Sequence, residues 1–270
     1  MSKIENALYE IHQIEQIAAR AQWVNHLHPL CKLIVTVFYI IMVISFPKYD
    51  VIGLVGGVIY LIIMYQFAEI SFLSAVKKLR VVLPLVCMLG IFNPFLDSNK
   101  IQLFRIQMSA GVLSMITLMI KGSFSVFASY LLIATTTVEK LCYALKVIHF
   151  PQILVTQFLL TYRYVSLLLE EVNHMTQAYS LRAPNQKGVH FRIWGSLTGQ
   201  LLLRSIERAN CVYESMILRG YRGCYSYVGV GERFRIRDGM YLFVWVGVLL
   251  FIRQQPLILI VGEFVGRVIG

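Results

Sequence analysis

The sequence is short of charged residues. Only 14% of its 270 residues are charged, whereas soluble domains average about 25%. Hydrophobic residues make up 57% of the chain and the mean hydropathy is +0.67. These values exclude an ordinary soluble domain and indicate a protein that lies in a lipid bilayer.

Motifs of nucleotide-binding and hydrolytic enzymes are also missing. No Gly-Lys dipeptide occurs, so the chain has no Walker A loop to hold a nucleotide phosphate. HExxH, GxSxG and paired-carboxylate patterns are absent as well. We therefore predict that the chain is not itself an enzyme, cannot hydrolyse ATP alone, and holds no cofactor or metal.

The cysteines give no sign of a disulfide framework or a zinc site. They are few, odd in number and never in CxxC spacing. We expect them to act as small buried hydrophobic residues. They are Cys31, Cys87, Cys142, Cys211 and Cys224.

Five apolar segments approach or reach the length that crosses a bilayer. They cover residues 30–46, 51–67, 81–96, 109–133 and 241–262. The sequence predicts an all-α integral membrane protein with about five transmembrane helices plus long cytoplasmic coupling helices. Residues 1–133 would hold an N-terminal surface helix and the first four spans, 134–240 a coupling-helix module, and 241–270 the last span.

The distribution of basic residues predicts the orientation in the membrane. With the N-terminus inside, segments 1–32, 68–80 and 134–240 hold 3, 3 and 13 Lys and Arg residues, and the outside segments hold 4. Basic residues collect on the cytoplasmic side of membrane proteins. The N-terminus and the stretch 134–240 are therefore predicted to be cytoplasmic.

The stretch 134–240 is too long for a simple connecting loop. Apolar residues recur every three to four positions from 151 to 182, which predicts one long helix, and a second is predicted from 194 to 219. Pro184 follows the first helix, and Gly220 and Gly223 follow the second.

Both predicted helices end on the same short pattern. An apolar stripe leads to a Leu-Arg pair before a small residue, with Arg182 in the first helix and Arg219 in the second. An amphipathic helix can lay such a stripe in a partner's groove while the guanidinium pairs with a carboxylate there. The alternative is an arginine that stabilises the helix macrodipole, which is common at C-terminal ends.

The order of motifs along the chain resembles the transmembrane (T) component of energy-coupling factor transporters. Residues 25–33, Asn-His-Leu-His-Pro-Leu-Cys-Lys-Leu, are similar to the opening His-x-Leu-Asp-Pro-x-x-Lys-Leu of that family. The segments 131–151, 162–164 and 169–171 resemble the approach to its first long helix and the start of that helix. Residues 207–221 look most like the cobalt/nickel (CbiQ-type) branch. Two positions depart from the family pattern: His28 replaces an Asp, and Ala183 replaces a Gly.

The resemblance implies a non-catalytic scaffold in an ATP-driven importer, in the inner (plasma) membrane and multi-pass. Its partners would be two cytoplasmic ATP-binding cassette ATPase subunits, a membrane substrate-binding (S, CbiM-like) subunit and the lipid bilayer, with no role for nucleic acid. Cobalt or nickel would be the cargo. The residues expected at the ATPase contacts are Arg182, Arg219, Tyr179, Met216, Gly220 and Tyr221.

Two other functions stay open at this stage. A membrane-embedded enzyme acting on phosphorylated lipid would use Glu170, Glu171 and His174. A self-sufficient carrier would place Lys121 and Arg253, the two basic residues inside predicted spans, on a substrate path, although a structural pairing is the simpler expectation for them. His26 and His28 have the spacing of a metal-ligand pair, but no third ligand lies nearby.

Overall fold

The fold is described from a computed structural model of the chain. The described residues are 9, 13, 15–18, 22–47, 51–78, 80, 82–91, 100–103, 106–184, 189–223 and 234–254. The chain divides into two compact units. The first, here called the long-helix unit, comprises Met1–Ile17 and Thr137–Gly231; the second, the span unit, comprises Ala18–Thr136 and Glu232–Gly270.

The span unit contains all five predicted apolar segments. Its helices are α1 (Pro29–Ser45), α2 (Val51–Gly56), α3 (Val58–Phe67), α4 (Phe72–Lys78), α5 (Val82–Ile91), α6 (Ala110–Thr135) and α10 (Ile236–Gln254). Each predicted segment is therefore helical over most of its described length; Phe46, Gly57 and Ser109 are the described exceptions, and residues 81, 92–96 and 255–262 lie outside the described residues. The chain is an all-α membrane protein.

The second predicted span differs from the expectation because it is interrupted at Gly57. The carbonyl of this glycine accepts a hydrogen bond from the Tyr39 hydroxyl at 3.1 Å, and glycine is a poor helix former. The Gly57 amide donates to the Leu54 carbonyl, three residues back, at 2.9 Å, so one tighter turn separates α2 from α3, although Gly57 keeps helical φ and ψ.

Helix α1 lies at the centre of the span unit and packs against α6 and α10. Aromatic rings extend this core: the Tyr60 ring lies 4.6 Å from that of Tyr39 and 4.8 Å from that of Trp245. Such pairs stabilise packing beyond the area that they bury. On α6, Gly122 lies so close to Val86 of α5 that any larger side chain would collide with it.

A short hairpin precedes α6, and the sequence analysis did not predict it. Strands β1 (Lys100–Leu103) and β2 (Ile106–Ser109) pair antiparallel, with Lys100 opposite Ser109. Polar and apolar residues alternate in both segments, which is the period of a strand. Each segment has only four residues, too few to distinguish a strand from a polar loop.

The long-helix unit consists of α7 (Val138–Val147), α8 (Gln152–Arg182) and α9 (Phe191–Leu218). Its small core lies where α7 meets the beginning of α8, around Cys142, Val155 and Leu159. The two predicted long helices are thus present within three residues of their predicted limits. Helix α7 was not predicted separately; the Thr137 side chain caps it by accepting from the Lys140 amide.

Length and composition single out two described helices as candidates to cross a membrane. They are Gly111–Thr135, the main part of α6, and Gln152–Arg182, which is α8. The apolar helices Pro29–Ser45 and Gly53–Phe67 are shorter. Helix α8 carries one charged residue, Arg163, in its first half and Glu170, Glu171 and Arg182 in its second half, so its first half is the more apolar one.

Candidate functional site

Helix α9 ends in a Schellman motif that presents Arg219. The Tyr221 amide donates to the Met216 carbonyl at 2.9 Å and the Gly220 amide to the Ile217 carbonyl at 2.8 Å. Gly220 adopts φ +82°, the left-handed conformation that this motif requires and that glycine adopts without strain. Met216 and Tyr221 occupy the two positions whose side chains often form an apolar contact in this motif, and both border one cavity. Sequence reasoning named all four residues, and the structure brings them together.

Helix α8 ends differently. Arg182 is its last residue, and Ala183 follows with φ −129° and ψ 65°. The Ala183 amide donates to the Tyr179 carbonyl at 3.0 Å, which closes the last turn without a left-handed residue. The chain therefore leaves α8 without the left-handed residue that ends α9, while the arginine keeps its place at the end.

Both helix ends expose the leucine that precedes the arginine. Leu181 is 82% exposed and Leu218 is 87% exposed. Full burial of a leucine side chain would contribute about 1.5–3 kcal/mol of favourable free energy. Arg182 and Arg219 are exposed too, and neither forms an ion pair with the residues that the structure describes. Tyr179, Met216 and Tyr221 are half-buried, and Gly220 is exposed. Each end offers an apolar side chain and a cation to a partner.

The two arginines lie at opposite ends of the helix pair. Glu171 of α8 forms an ion pair with Arg204 of α9, and Leu160, nearer the start of α8, borders the same cavity as Met216, nearer the end of α9. The helices therefore run antiparallel. At 1.5 Å per residue, Arg182 and Arg219 extend away from the ion pair in opposite directions, up to about 40 Å apart.

Much of the apolar surface of this unit is uncovered. Helix α9 has no buried residue along its whole length. Exposed apolar side chains occur on both long helices, among them Ile153, Phe158, Trp194, Leu202, Leu203 and Ile206. Contiguous apolar surface on this scale marks a protein or membrane contact.

Two cavities open between α8 and α9. The larger, about 390 Å³, is mostly apolar, and among the described residues Arg208 is the only charged one that borders it. The second, about 370 Å³, is bordered by Arg163, Arg208 and Arg219. The cavities share five bordering residues: Leu160, Tyr164, Arg208, Val212 and Met216.

The opening motif lies in the span unit and caps α1. His28 occupies the N-cap position, and its Nδ1 accepts from the Leu30 amide at 3.3 Å, so the histidine takes the capping part that an aspartate plays in many helices. The side chain is buried, whereas His26 is exposed. The two histidines therefore face different surroundings, and the described residues contain no group of three metal-ligating side chains.

Asp238 is a buried residue of this region that sequence reasoning missed. Its Oδ1 accepts from the His28 amide at 3.0 Å and its Oδ2 from the Arg235 amide at 2.8 Å. The second bond is the reach-back half of a capping box at the start of α10. An acidic residue in the first turn of the last helix was the available signal. Lys32 is also buried and donates to the Thr135 carbonyl at 2.8 Å, which ties α1 to the end of α6.

The two basic residues inside predicted spans hold the C-terminal end of α1. Lys121 Nζ donates to the carbonyls of Ile44 at 3.1 Å and Phe46 at 2.5 Å. Arg253 donates to the Ser45 carbonyl at 3.1 Å and stacks over the Phe46 ring. Helix ends leave carbonyls without partners, and cations there are favourable. This agrees with the structural pairing expected for both residues, with backbone carbonyls as the partners.

The remaining candidate residues have simple structural surroundings. Glu171, proposed for a lipid enzyme, is engaged by Arg204. Cys31 and Cys142 are buried as expected, whereas Cys211 is exposed and corrects the expectation for that position. Burial raises the pKa of the Cys142 thiol to about 11, with a further contribution from the Glu139 carboxylate, so this thiol stays protonated at neutral pH.

Comparison with known proteins identifies the family. A family profile described as cobalt transport protein (CbiQ) matches residues 20–228. An uncharacterized protein of Methanocaldococcus jannaschii is 27% identical over 134 residues, 49% of this chain and 46% of its own length. The nickel permease LarQ of Lactiplantibacillus plantarum is 29% identical over 116 residues, 42% of each chain. The chain thus matches less than half the length of these curated relatives. Because the family match covers well over half of the sequence, this chain belongs to the CbiQ cobalt transport protein family.

Proposed function

We propose that this chain is the energy-coupling scaffold of an ATP-driven importer of the energy-coupling factor type. It would connect two cytoplasmic ATP-binding cassette ATPase subunits to a membrane subunit that binds the substrate. The nickel permease among its relatives and the family description favour Co²⁺ or Ni²⁺ as the cargo.

The observation that carries the proposal is the pair of exposed Leu-Arg ends on antiparallel helices. Leu181 and Leu218 are nearly fully exposed, and Arg182 and Arg219 form no ion pair within the described residues. Because the helix ends lie up to about 40 Å apart, they suit one binding site on each of two subunits, here called the seats, better than one shared groove. Tyr179 would pack around the first seat, and Met216, Gly220 and Tyr221 would shape the second.

Coupling would follow because the pair of long helices is rigid and each of its two ends is bound to an ATPase subunit. When ATP binding closes the two ATPase subunits, the seats move and the helix ends move with them. Packed helices transmit such shifts because interfaces have discrete arrangements and do not deform continuously. The exposed apolar faces of α8 and α9 would carry the shift to the substrate-binding subunit.

The chain would lie in the cell inner (plasma) membrane with its N-terminus in the cytoplasm. In a variant without the five native cysteines, a cysteine at Lys100 should react with a membrane-impermeant maleimide in intact cells, whereas one at Arg192 should react only after lysis. The reverse pattern would contradict the orientation.

Reconstitution with and without the ATPase subunits tests the proposed function. Proteoliposomes that contain the complete complex should accumulate radiolabelled Co²⁺ or Ni²⁺ when ATP is supplied, and omission of this chain should abolish uptake. The chain purified alone should hydrolyse no ATP. Uptake by this chain alone, driven by an ion gradient, would instead support a self-sufficient carrier.

A further inference from the structure

The larger cavity between the long helices has the character of a binding site for an apolar chain. Its volume of about 390 Å³ lies within the range of small-molecule sites. The apolar residues that border it are Ile153, Leu160, Leu167, Leu168 and Val212, and in the described part of the chain Arg208 is the only charged residue at its edge. A cavity of this composition favours a long apolar group with one anionic end.

The adjoining cavity supplies the charge complement. Arg163, Arg208 and Arg219 border it, and among the residues that the structure describes no carboxylate borders either cavity. None of the three forms an ion pair within the described part of the chain. Three neighbouring guanidinium groups repel one another and attract an anion, and arginine binds phosphate through two parallel hydrogen bonds.

Exposed apolar residues at the start of α8 lie close to the same cavity. Ile153, which borders the cavity, is 77% exposed, and Leu154 and Phe158 beside it are 53% and 50% exposed. Helix α8 also has the length and composition of a helix that can cross a membrane. A ligand that enters the cavity from this side would come from lipid more readily than from water.

We infer that the cleft between α8 and α9 binds an anionic phospholipid of the surrounding membrane. Its phosphate would lie against Arg208 and Arg163, which leaves Arg219 to the proposed ATPase contact, and an acyl chain would occupy the apolar cavity. Arg208 borders both cavities, so it lies between the part of the site that would bind the headgroup and the part that would bind the acyl chain. The bound lipid would fill the gap between the two long helices and link their positions to the membrane.

Native mass spectrometry of the purified full chain in neutral detergent measures this binding directly. Dioleoylphosphatidylglycerol and dioleoylphosphatidylcholine, which share their acyl chains, compete for one site, and inorganic phosphate is added in a separate arm. We expect one tightly held phosphatidylglycerol per chain, preferred over phosphatidylcholine, and no displacement by inorganic phosphate.

Variants distinguish recognition of the lipid headgroup from recognition of its acyl chain. Arg208→Gln should weaken phosphatidylglycerol binding about tenfold, whereas Arg208→Lys should keep the preference for phosphatidylglycerol over phosphatidylcholine. Ala209→Trp, which adds bulk inside the apolar cavity, should weaken both lipids. Arg222→Gln is the matched control, because Arg222 is exposed and borders neither cavity.

Three results would overturn the inference. The first is equal phosphatidylglycerol binding by Arg208→Gln and Arg222→Gln, and the second is equal binding of the two lipids by the unaltered chain. The third is displacement of the lipid by inorganic phosphate or by an ATPase subunit, which would assign the arginines to a small anion or to a protein. Since Arg208→Gln leaves both helix ends intact, ATPase capture by this variant should be unchanged, so the lipid site can fail without the proposed function failing.

Discussion

The two long helices end in the same Leu-Arg pair but leave the helix in different ways. At the α9 end, Gly220 turns left-handed and two backbone hydrogen bonds fix the chain reversal around Arg219. At the α8 end, Ala183 is not left-handed and one hydrogen bond closes the turn after Arg182. Despite this difference, the leucine is more than 80% exposed at both ends.

The two ends show that exposure of the Leu-Arg pair does not depend on the backbone conformation that follows the helix. The arginine is exposed wherever the helix ends at or just before it, as both helices do. The glycine adds a fixed direction for the chain that follows. We therefore expect the α9 end to be the more rigid of the two and to depend on its glycine, whereas the α8 end depends on its arginine alone.

Charge reversal of the two arginines should give the largest effect on partner binding. Under the proposed function each arginine pairs with a carboxylate on an ATPase subunit. Arg182→Glu and Arg219→Glu would each replace that attraction by repulsion, so each should raise the Kd for the ATPase subunits on the order of a hundredfold or more. The double variant should be worse, because the two ends would occupy different subunits. A pull-down with tagged ATPase subunits measures all three.

The control for this prediction is Arg222→Glu. Arg222 is exposed and lies just beyond Gly220, so its reversal tests net charge without altering either end, and binding should change little. If Arg182→Glu and Arg219→Glu hold the partner as well as the unaltered chain does, the arginines only stabilise helix ends.

Exchange of the small residues after the arginines should have a moderate and unequal effect. Gly220→Ala forces alanine into the left-handed region at a cost of roughly 1–2 kcal/mol, although the new Cβ meets no atom within 4 Å. Ala183→Gly adds only freedom in the unfolded chain, about 0.4–1 kcal/mol. ATPase affinity should therefore fall several-fold for the first change, which strains the folded helix end, and change little for the second, which lowers mainly the free energy of unfolding. Equal losses would contradict the difference drawn between the two ends.

The ion pair between the long helices should contribute least. Arg204 is 50% exposed and Glu171 is 29% exposed, and exposed pairs contribute about 0–1 kcal/mol. Arg204→Gln and Glu171→Gln should each lower the thermal unfolding temperature of the detergent-solubilised chain by no more than a few degrees. Loss of the long helices in either variant, seen by circular dichroism, would show that this pair fixes the helix pair more strongly than its exposure suggests.

Local sequence signals predicted the helices well, because apolar periodicity and terminal glycines act over short distances. The limits of α8 and α9 followed from such signals, as did the ends at Arg182 and Arg219. The tighter turn at Gly57 did not, and the Gly57 carbonyl has a partner that no local signal reveals, the hydroxyl of Tyr39, 18 residues away. The surroundings of Asp238 and Lys121 were hidden for the same reason: their partners, the amide of His28 and the carbonyls of Ile44 and Phe46, are distant in the chain.

Site-specific photo-crosslinking from the exposed leucines tests the central claim most directly. A photoreactive residue at Leu181 or at Leu218 should capture an ATP-binding subunit in the assembled transporter, and a chain that carries both should capture two copies. The same residue at Leu202, in the middle of α9 and 59% exposed, should capture none. Capture of the ATP-binding subunit from Leu202 but from neither helix end would contradict the account.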